Sequence, residues 1–225
     1  MSTDKERIAA MLALANHPNT PRHEAENALA LASKLMLRNG YTESDFHDST
    51  APVDESIVVE TVRLDGTYAR QRLGILYAIA RIHACVGYMD RDAHNDPVVV
   101  LYGRRDDIFA ARTLFAAADL MGFRLLPRGD RSWRISWWKG FRQGIEESLG
   151  AARKEYVKES PGAGLVLADR GKRAEQELRT FGPPLRNLYS YATGSASSFS
   201  SGVSAGRSFG SSGRSFGSGV RGEIG

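Results

Sequence analysis

The chain has 225 residues, 42% of them hydrophobic, and a formal net charge of +4 at pH 7. This is enough to bury a core, as one domain with appendages or as two small domains. No apolar run approaches the roughly 18 residues of a membrane helix, the N-terminus lacks the layout of a signal peptide, and Cys85 is the single cysteine. The sequence therefore argues against a membrane protein or a disulfide-stabilised secreted domain and favours the cytoplasm.

Charge is unevenly distributed along the chain. Residues 1–60 carry 5 Lys or Arg and 10 Asp or Glu, residues 61–160 carry 17 and 12, and residues 161–225 carry 8 and 4. Two explanations stay open for this asymmetry. Either the acidic residues 1–60 pair with the basic residues 61–225 inside the molecule, or residues 61–225 present a basic surface to an acidic partner.

The first part of the chain predicts a helical hairpin module over residues 1–45. Apolar residues recur at helical spacing in residues 4–15 and again in residues 21–39, and "NHPNTP" separates the two runs. The polar stretch of residues 46–55 is typical of a linker.

His23 and Glu24 begin the second of these helices and invite comparison with a zinc-protease motif. Such a helix needs a second histidine four residues after the first, so that both imidazole rings project from the same face of the helix. That position is Asn27, and an amide is a poor zinc ligand. We therefore predict a structural helix without a metal site.

Residues 56–160 alternate between short β-branched runs and longer helical patterns. The strands are predicted in "SIVVETVRL", "CVGYMD" and "PVVVLYG", and the helices in "TYARQRLGILYAIARIHA", "RRDDIFAARTLFAAADLMG" and "SWRISWWKGFRQGIEESLGAARKEYVKES". The order β-α-β-β-α-α predicts the α+β class, with helices on one face of a small sheet. Residues 161–193 are predicted as a strand or helix extension of this domain.

Several of these blocks resemble a known family. "ERIAAMLALANHPNTPRHEAENALALASKLMLRNG" is similar to the N-terminal module named domain of unknown function 2786, found in actinobacteria and their phages. The blocks "LYAIARIHACVGYM", "VVVLYGRRDDIFAARTLFAAA" and "SWWKGFRQGIEESLGAAR" resemble the α+β module that often follows it. The resemblance covers roughly residues 5–155. It implies a fold and a phage or actinobacterial setting, with a host-cytoplasm location for a phage product, and it implies no activity.

The remaining polar clusters favour structural roles. Asp106 and Asp107 stand where a helix begins, which predicts an interaction with the helix dipole, and no P-loop pattern surrounds them. The run "DRDAHND" lacks the glycine and closing glutamate of an EF-hand and predicts a polar turn. Cys85 is predicted to be buried. His83 lies two residues before it and would share its face in a strand, but no third partner completes a catalytic Cys/His set. We therefore predict no catalytic residue, no cofactor and no metal.

Residues 122–142 form the densest cationic and aromatic stretch of the chain. Basic side chains contact nucleic-acid phosphates, and interleaved aromatic rings stack on unpaired bases. Helical spacing predicts Trp137 and Phe141 in the core, and places Trp138 with two arginines on a neighbouring, exposed face. The predicted nucleic-acid-binding residues here are Arg124, Arg128, Arg131, Arg134, Trp138, Lys139 and Arg142.

Residues 194–225 form a tail with 9 Gly and 11 Ser. Two predictions stay open for it. A flexible tail would let Arg207, Arg214 and Arg221 track phosphates and Phe199, Phe209 and Phe216 stack on bases. A helix would instead align Gly206, Gly210, Gly213 and Gly217 as a stripe of small residues that packs closely against a partner.

Together these patterns predict a non-enzymatic binding protein that contacts DNA or RNA through residues 124–142 and the basic tail. The alternative is a protein-interaction or assembly factor, in which the acidic hairpin and the tail dock onto other subunits or mediate self-association.

Overall fold

A computed structural model describes residues 55–159, 161–185 and 195–209, together with residues 6–8, 10, 11, 14, 31 and 32. The eight N-terminal residues among these are all helical, and Ile8 and Ala32 are fully buried. The turn of the predicted hairpin and residues 46–54 of the predicted linker lie outside the described residues.

Within the described residues, three strands form one antiparallel sheet in the order β1-β3-β2. Strand β1 spans Ile57–Arg63, β2 spans Val86–Arg91 and β3 spans Pro97–Arg104. The central strand β3 is buried continuously from Val98 to Arg104. Such continuous burial is typical of a strand that is covered on both faces of its sheet.

The helices that accompany this sheet in the described part of the chain are α1 (Ala69–Ile82), α2 (Arg105–Leu125), α3 (Arg131–Glu159), α4 (Pro161–Phe181) and α5 (Ala196–Arg207). The predicted order β1-α1-β2-β3-α2-α3 and the α+β class are confirmed. In the predicted extension of residues 161–193 the structure places the helix α4.

The main core lies between one face of the sheet and helices α1, α2 and α3. Alternate residues of β3 point to the opposite face, and Val98, Val100 and Tyr102 are buried there as well. Helix α4 packs across this second face. The structure therefore has helices on both faces of the sheet, whereas the sequence predicted helices on one face. The largest fully buried side chains of the main core are Leu73, Ile75, Leu76, Ile79, Leu101, Ile108, Trp137, Trp138, Phe141 and Ile145.

Helix α5 lies along α3 and runs in the same direction. Near the start of both helices, Ser198 donates a hydrogen bond to the carbonyl oxygen of Trp133. About four turns further along α3, Glu147 pairs with Arg207 at the end of α5. The two N-termini therefore lie at the same end of the molecule.

Four glycines bring the backbones of α3 and α5 into contact. A Cβ atom added at Gly140 would lie 2.0 Å from a carbonyl oxygen of α5, and one added at Gly202 would lie 2.1 Å from a carbonyl oxygen of α3. Gly144 and Gly206, each one turn further along, face the opposite backbone just as closely. Because no Cβ fits between the helices, glycine is required at these positions.

This packing decides between the two tail predictions for residues 196–207. The helical alternative is the observed one, but its docking surface is α3 of the same chain rather than a partner. Of the predicted glycine stripe, Gly206 lies in the contact, while Gly210, Gly213 and Gly217 lie outside the described residues.

Candidate nucleic-acid interface

The arginines predicted to bind phosphate cluster where α2 ends and α3 begins. Arg124 lies in the last turn of α2, and Arg131 is the first residue of α3. Arg124, Arg128 and Arg131 are exposed, and Arg134 is half-buried one turn into α3. We call the surface formed by Arg124, Arg128, Arg131 and Arg134 the basic end.

The start of α3 is held by a side-chain cap. The Asp130 carboxylate accepts a 2.7 Å hydrogen bond from the backbone N–H of Trp133. An aspartate at this position satisfies one of the N–H groups that a helix leaves unpaired at its start. The cap therefore ties Asp130, which lies between Arg128 and Arg131, to the first turn of α3.

The N-terminus of α5 adds positive potential to the basic end. Ser195 begins α5 beside α3, where its carbonyl oxygen accepts a 3.2 Å hydrogen bond from the Ser136 hydroxyl. Its own hydroxyl caps α5 by accepting from the backbone N–H of Ser198. The aligned peptide dipoles place a partial positive charge at the start of α5, which adds to the charge of the guanidinium groups, whereas the Asp130 carboxylate offsets the dipole at the start of α3.

The four arginines of the basic end form no ion pair with any residue that the structure describes. The Nε atom of Arg134 is buried without a hydrogen-bond partner. Elsewhere arginines are paired: Arg72 with Asp119 at 2.5 Å, and Arg170 with Asp107 at 3.2 Å. The basic end therefore retains positive charge that carboxylates neutralise in other parts of the fold.

The other predicted basic residues lie apart from this cluster. Arg142 packs beside Gly74 of α1, with its Nε 3.8 Å from a carboxylate oxygen of Glu146. Lys139 is half-buried, and Arg207 pairs with Glu147. Arg214 and Arg221 lie outside the described residues.

The prediction that Trp138 lies on an exposed face is wrong. Its side chain is fully buried, and its ring contacts Trp137 and Phe141 on α3 and Phe123 on α2. Helix α3 is covered on two sides, by α1 and α2 and by α5, so the face beside the predicted core stripe is buried as well. Trp138 is therefore unavailable to stack on a base.

The tail phenylalanines are also less available than predicted. Phe209 is buried, and its carbonyl oxygen accepts a 2.6 Å hydrogen bond from the Ser148 hydroxyl of α3. Phe199 is half-buried against α3. The stacking prediction is thus wrong for Phe209, and Phe216 lies outside the described residues.

Phe123 is the exposed aromatic residue beside the basic end. It directly precedes Arg124 in the last turn of α2, and 42% of its surface is exposed. In the sequence, Phe123 lies within the basic-aromatic stretch of residues 122–142, and helical spacing alone does not show that it is exposed. The guanidinium carbon of Arg72 lies 4.8 Å from the centre of its ring.

Cys85 and His83 do not form a nucleophile and base pair. The thiol of Cys85 is buried and donates a 3.5 Å hydrogen bond to the backbone carbonyl of His83 rather than to its ring. Burial, with the negative charges of Asp107 and Glu60, raises the pKa of Cys85 to about 12. Burial and the neighbouring Arg153 lower the pKa of His83 to about 4. The structural role predicted for Cys85 agrees with this environment.

We expect Cys85 to resist alkylation by iodoacetamide at pH 8 in the folded protein. With a pKa of about 12, roughly one thiol in ten thousand is ionised at that pH, and the thiolate is the reactive form. Mass spectrometry after timed labelling, with the urea-unfolded protein as control, measures the effect. Equal labelling rates in the two states would contradict a buried thiol.

The acidic residues at the start of α2 take the predicted structural role. Asp106 and Asp107 lie in the first turn of the helix, where negative charge is stabilised. Burial raises the pKa of Asp107, and the charges of Arg170 and Arg104 partly offset that rise. The Arg170–Asp107 pair thereby ties α4 to the start of α2 across the end of the sheet.

The other acidic run forms a turn between β2 and β3. The Asp92 carboxylate accepts hydrogen bonds from the backbone N–H groups of His94 and Asp96 at 2.9 and 3.0 Å, which confirms the predicted polar turn. Among the described residues, no three His, Cys, Asp or Glu side chains are grouped to hold a metal ion. No helix in the same part of the chain has the length and apolar character to span a membrane.

Comparison with known proteins identifies the N-terminal segment alone. Residues 5–41 match the model of a family described as "Protein of unknown function (DUF2786)", which confirms the resemblance found in the sequence for this segment. No curated protein matches the chain, and no solved structure matches it either.

Proposed function

We propose that this chain, which carries a DUF2786 segment at its N-terminus, is a non-enzymatic cytoplasmic protein that binds nucleic acid through phosphate contacts at the basic end. The observation that carries the proposal is the cluster of four arginines without carboxylate partners among the described residues. An arginine that is paired with a carboxylate in the free protein must give up that partner to bind a phosphate. The four arginines of the basic end have no such partner to lose, so each gains a charge-assisted hydrogen bond when it binds phosphate.

The chemistry of the cluster fits phosphate. A guanidinium presents several N–H donors in one plane and binds two phosphate oxygens at once. Arg124, Arg128 and Arg131 are spaced a few residues apart across a helix end, a loop and a helix start, so they form a patch rather than one site. Contacts between such a patch and a phosphate backbone release counterions and give affinity that falls steeply with salt.

A second candidate function, a protein-interaction or assembly factor, is favoured by the outer surface of α4. Leu165 and Val166 are 76% and 50% exposed there, and Phe181 at the end of the helix is 72% exposed. Leu165 and Val166 are adjacent, and neighbouring exposed apolar side chains are a feature of protein contact surfaces; Phe181 lies about 22 Å further along the helix. The part of the tail that forms α5 is already occupied by its contact with α3.

We expect the double variant Arg128→Glu/Arg131→Glu to bind DNA and RNA much more weakly than the unmodified protein. Loss of two phosphate contacts should reduce the slope of log affinity against log salt concentration by about two on duplex DNA. A glutamate at the first position of α3 is compatible with the helix dipole, so the variant should remain folded. Fluorescence anisotropy at several salt concentrations measures the slope, and circular dichroism confirms the fold.

A matched control is Lys154→Glu/Lys172→Glu, which changes net charge by the same amount. Both lysines are exposed, and Lys154 lies 23 residues after Arg131 on α3, or roughly 34 Å along the helix. If the control variant loses as much affinity as the Arg128/Arg131 variant, net charge rather than the basic end governs binding. If the unmodified protein shows no salt-sensitive binding to DNA or RNA, the nucleic-acid proposal fails and the protein-interaction role replaces it.

A further inference from the structure

Phe123 combines exposure with tight positioning. Its ring and that of the buried Trp138 pack edge to face, with ring centres 5.5 Å apart and planes inclined by 76°. The guanidinium of Arg72 lies over one face of the same ring. Of the residue as a whole, 42% nevertheless faces solvent, so part of this aromatic side chain is accessible beside the arginines.

Arg72 is itself fixed by three hydrogen bonds. Its Nε and Nη2 atoms bind the two carboxylate oxygens of Asp119 at 2.7 and 2.5 Å, and its Nη1 atom binds the backbone carbonyl of Asp65 at 2.9 Å. A guanidinium over an aromatic face is attracted to the electrons of the ring. Because Asp119 and Asp65 hold the guanidinium, the ring is positioned before any ligand arrives, which reduces the entropy lost on binding.

The ring lies next to the basic end. Arg124 is its neighbour in sequence, and Arg134 lies one helical turn before Trp138, the residue that Phe123 contacts. Side chains one turn apart on a helix are roughly 5 to 6 Å apart at Cβ. A nucleic-acid backbone bound to these arginines therefore carries its bases within reach of Phe123.

We infer that the basic end binds single-stranded nucleic acid in preference to duplex, with an unpaired base stacked on Phe123; this inference rests on the proposed function. In a duplex, each base face is covered by its neighbours and only base edges face the grooves. An unpaired strand offers free base faces, and stacking on an aromatic side chain is tolerant of sequence. The ligand class is thus a flexible single strand of DNA or RNA without a required sequence.

The test compares binding of a labelled oligothymidylate single strand and of a mixed-sequence duplex of equal length, by fluorescence anisotropy with the full chain. The unmodified protein should bind the single strand more tightly than the duplex. Phe123→Leu, which keeps apolar bulk and removes the aromatic face, should weaken single-strand binding about fivefold or more, near the lower end of what one stacked base contributes. Duplex binding should change by no more than about twofold.

Two further variants make the result specific to the ring. Phe123→Tyr retains an aromatic face and should retain single-strand affinity. Leu125→Ala removes a comparably exposed apolar side chain, 45% exposed in the same helical turn, and should leave both affinities unchanged. Thermal melting followed by circular dichroism shows that each variant is folded at the assay temperature.

The outcomes separate the inference from the proposed function. If the unmodified protein binds both ligands equally, or Phe123→Leu weakens both to the same extent, single-strand selection is wrong and phosphate binding at the basic end stands. If neither ligand binds in a salt-sensitive manner, the proposed function fails and the inference fails with it. Single-strand preference that is lost in Phe123→Leu and kept in Phe123→Tyr supports the inference.

Discussion

Trp138→Ala is expected to lower the free energy of unfolding by about 3 to 5 kcal/mol, the usual range for removing a fully buried aromatic side chain. Trp138 has no exposed surface and contacts Phe123, Trp137 and Phe141. Its ring also fills the space beside Gly122, where an added Cβ would lie 2.4 Å from the indole. Urea denaturation followed by circular dichroism measures the loss.

The same variant separates a core role from a surface role. Substitution of an exposed residue usually changes stability by less than about 0.5 kcal/mol. A change that small would show that Trp138 is not in the core. Trp138→Phe is the milder comparison, since it keeps an aromatic ring in the cluster and removes an indole N–H that has no hydrogen-bond partner. Trp138→Phe should lower the free energy of unfolding clearly less than Trp138→Ala does.

Gly144→Ala and Gly150→Ala are expected to change stability in opposite directions although both lie on α3. A Cβ at Gly144 would lie 2.3 Å from the carbonyl oxygen of Val203 and 2.7 Å from the backbone nitrogen of Arg207. Because these are backbone atoms of α5, relief requires the whole helix to move, and such overpacking costs about 1 to 3 kcal/mol or more. At Gly150 no atom lies within 4 Å of the added Cβ.

Gly150→Ala should therefore stabilise the protein, by up to about 1 kcal/mol, because alanine favours helix more than glycine does. Chemical denaturation gives the sign and size of both effects. Hydrogen exchange localises the effect of Gly144→Ala. Displacement of α5 should accelerate amide exchange at Gly202 and Val203 while α1 stays protected. Stabilisation by both substitutions would show that α5 does not pack against α3 at Gly144.

The strands and the main helices could be predicted because their signals are local. Strand β3 shows its burial through consecutive apolar residues, and Trp137, Phe141, Ile145 and Leu149 on α3 recur every four residues. All four of these α3 residues are buried. A helix that packs in one direction buries one stripe, and periodicity detects that stripe.

The error at Trp138 and the open question of the tail have one cause. Periodicity along α3 shows which side chains share a face but does not show how many elements pack on the helix. Here α1 and α2 cover the face that includes Trp138, and α5 adds a contact at Gly140 and Gly144. The contacts of α5 with α3 join residues about 60 positions apart, such as Ser136 and Ser195, and no local pattern specifies them.

For the candidate site, the sequence by itself determined that arginines concentrate between α2 and α3, because composition is independent of folding. Only the tertiary structure decided which of them keep their charge available. Arg142 and Arg207 lie near glutamates on α3, whereas Arg124, Arg128 and Arg131 lie where α2, α3 and α5 meet and pair with no described carboxylate. Ion pairing depends on distances between side chains, and those distances exist only after the helices have packed.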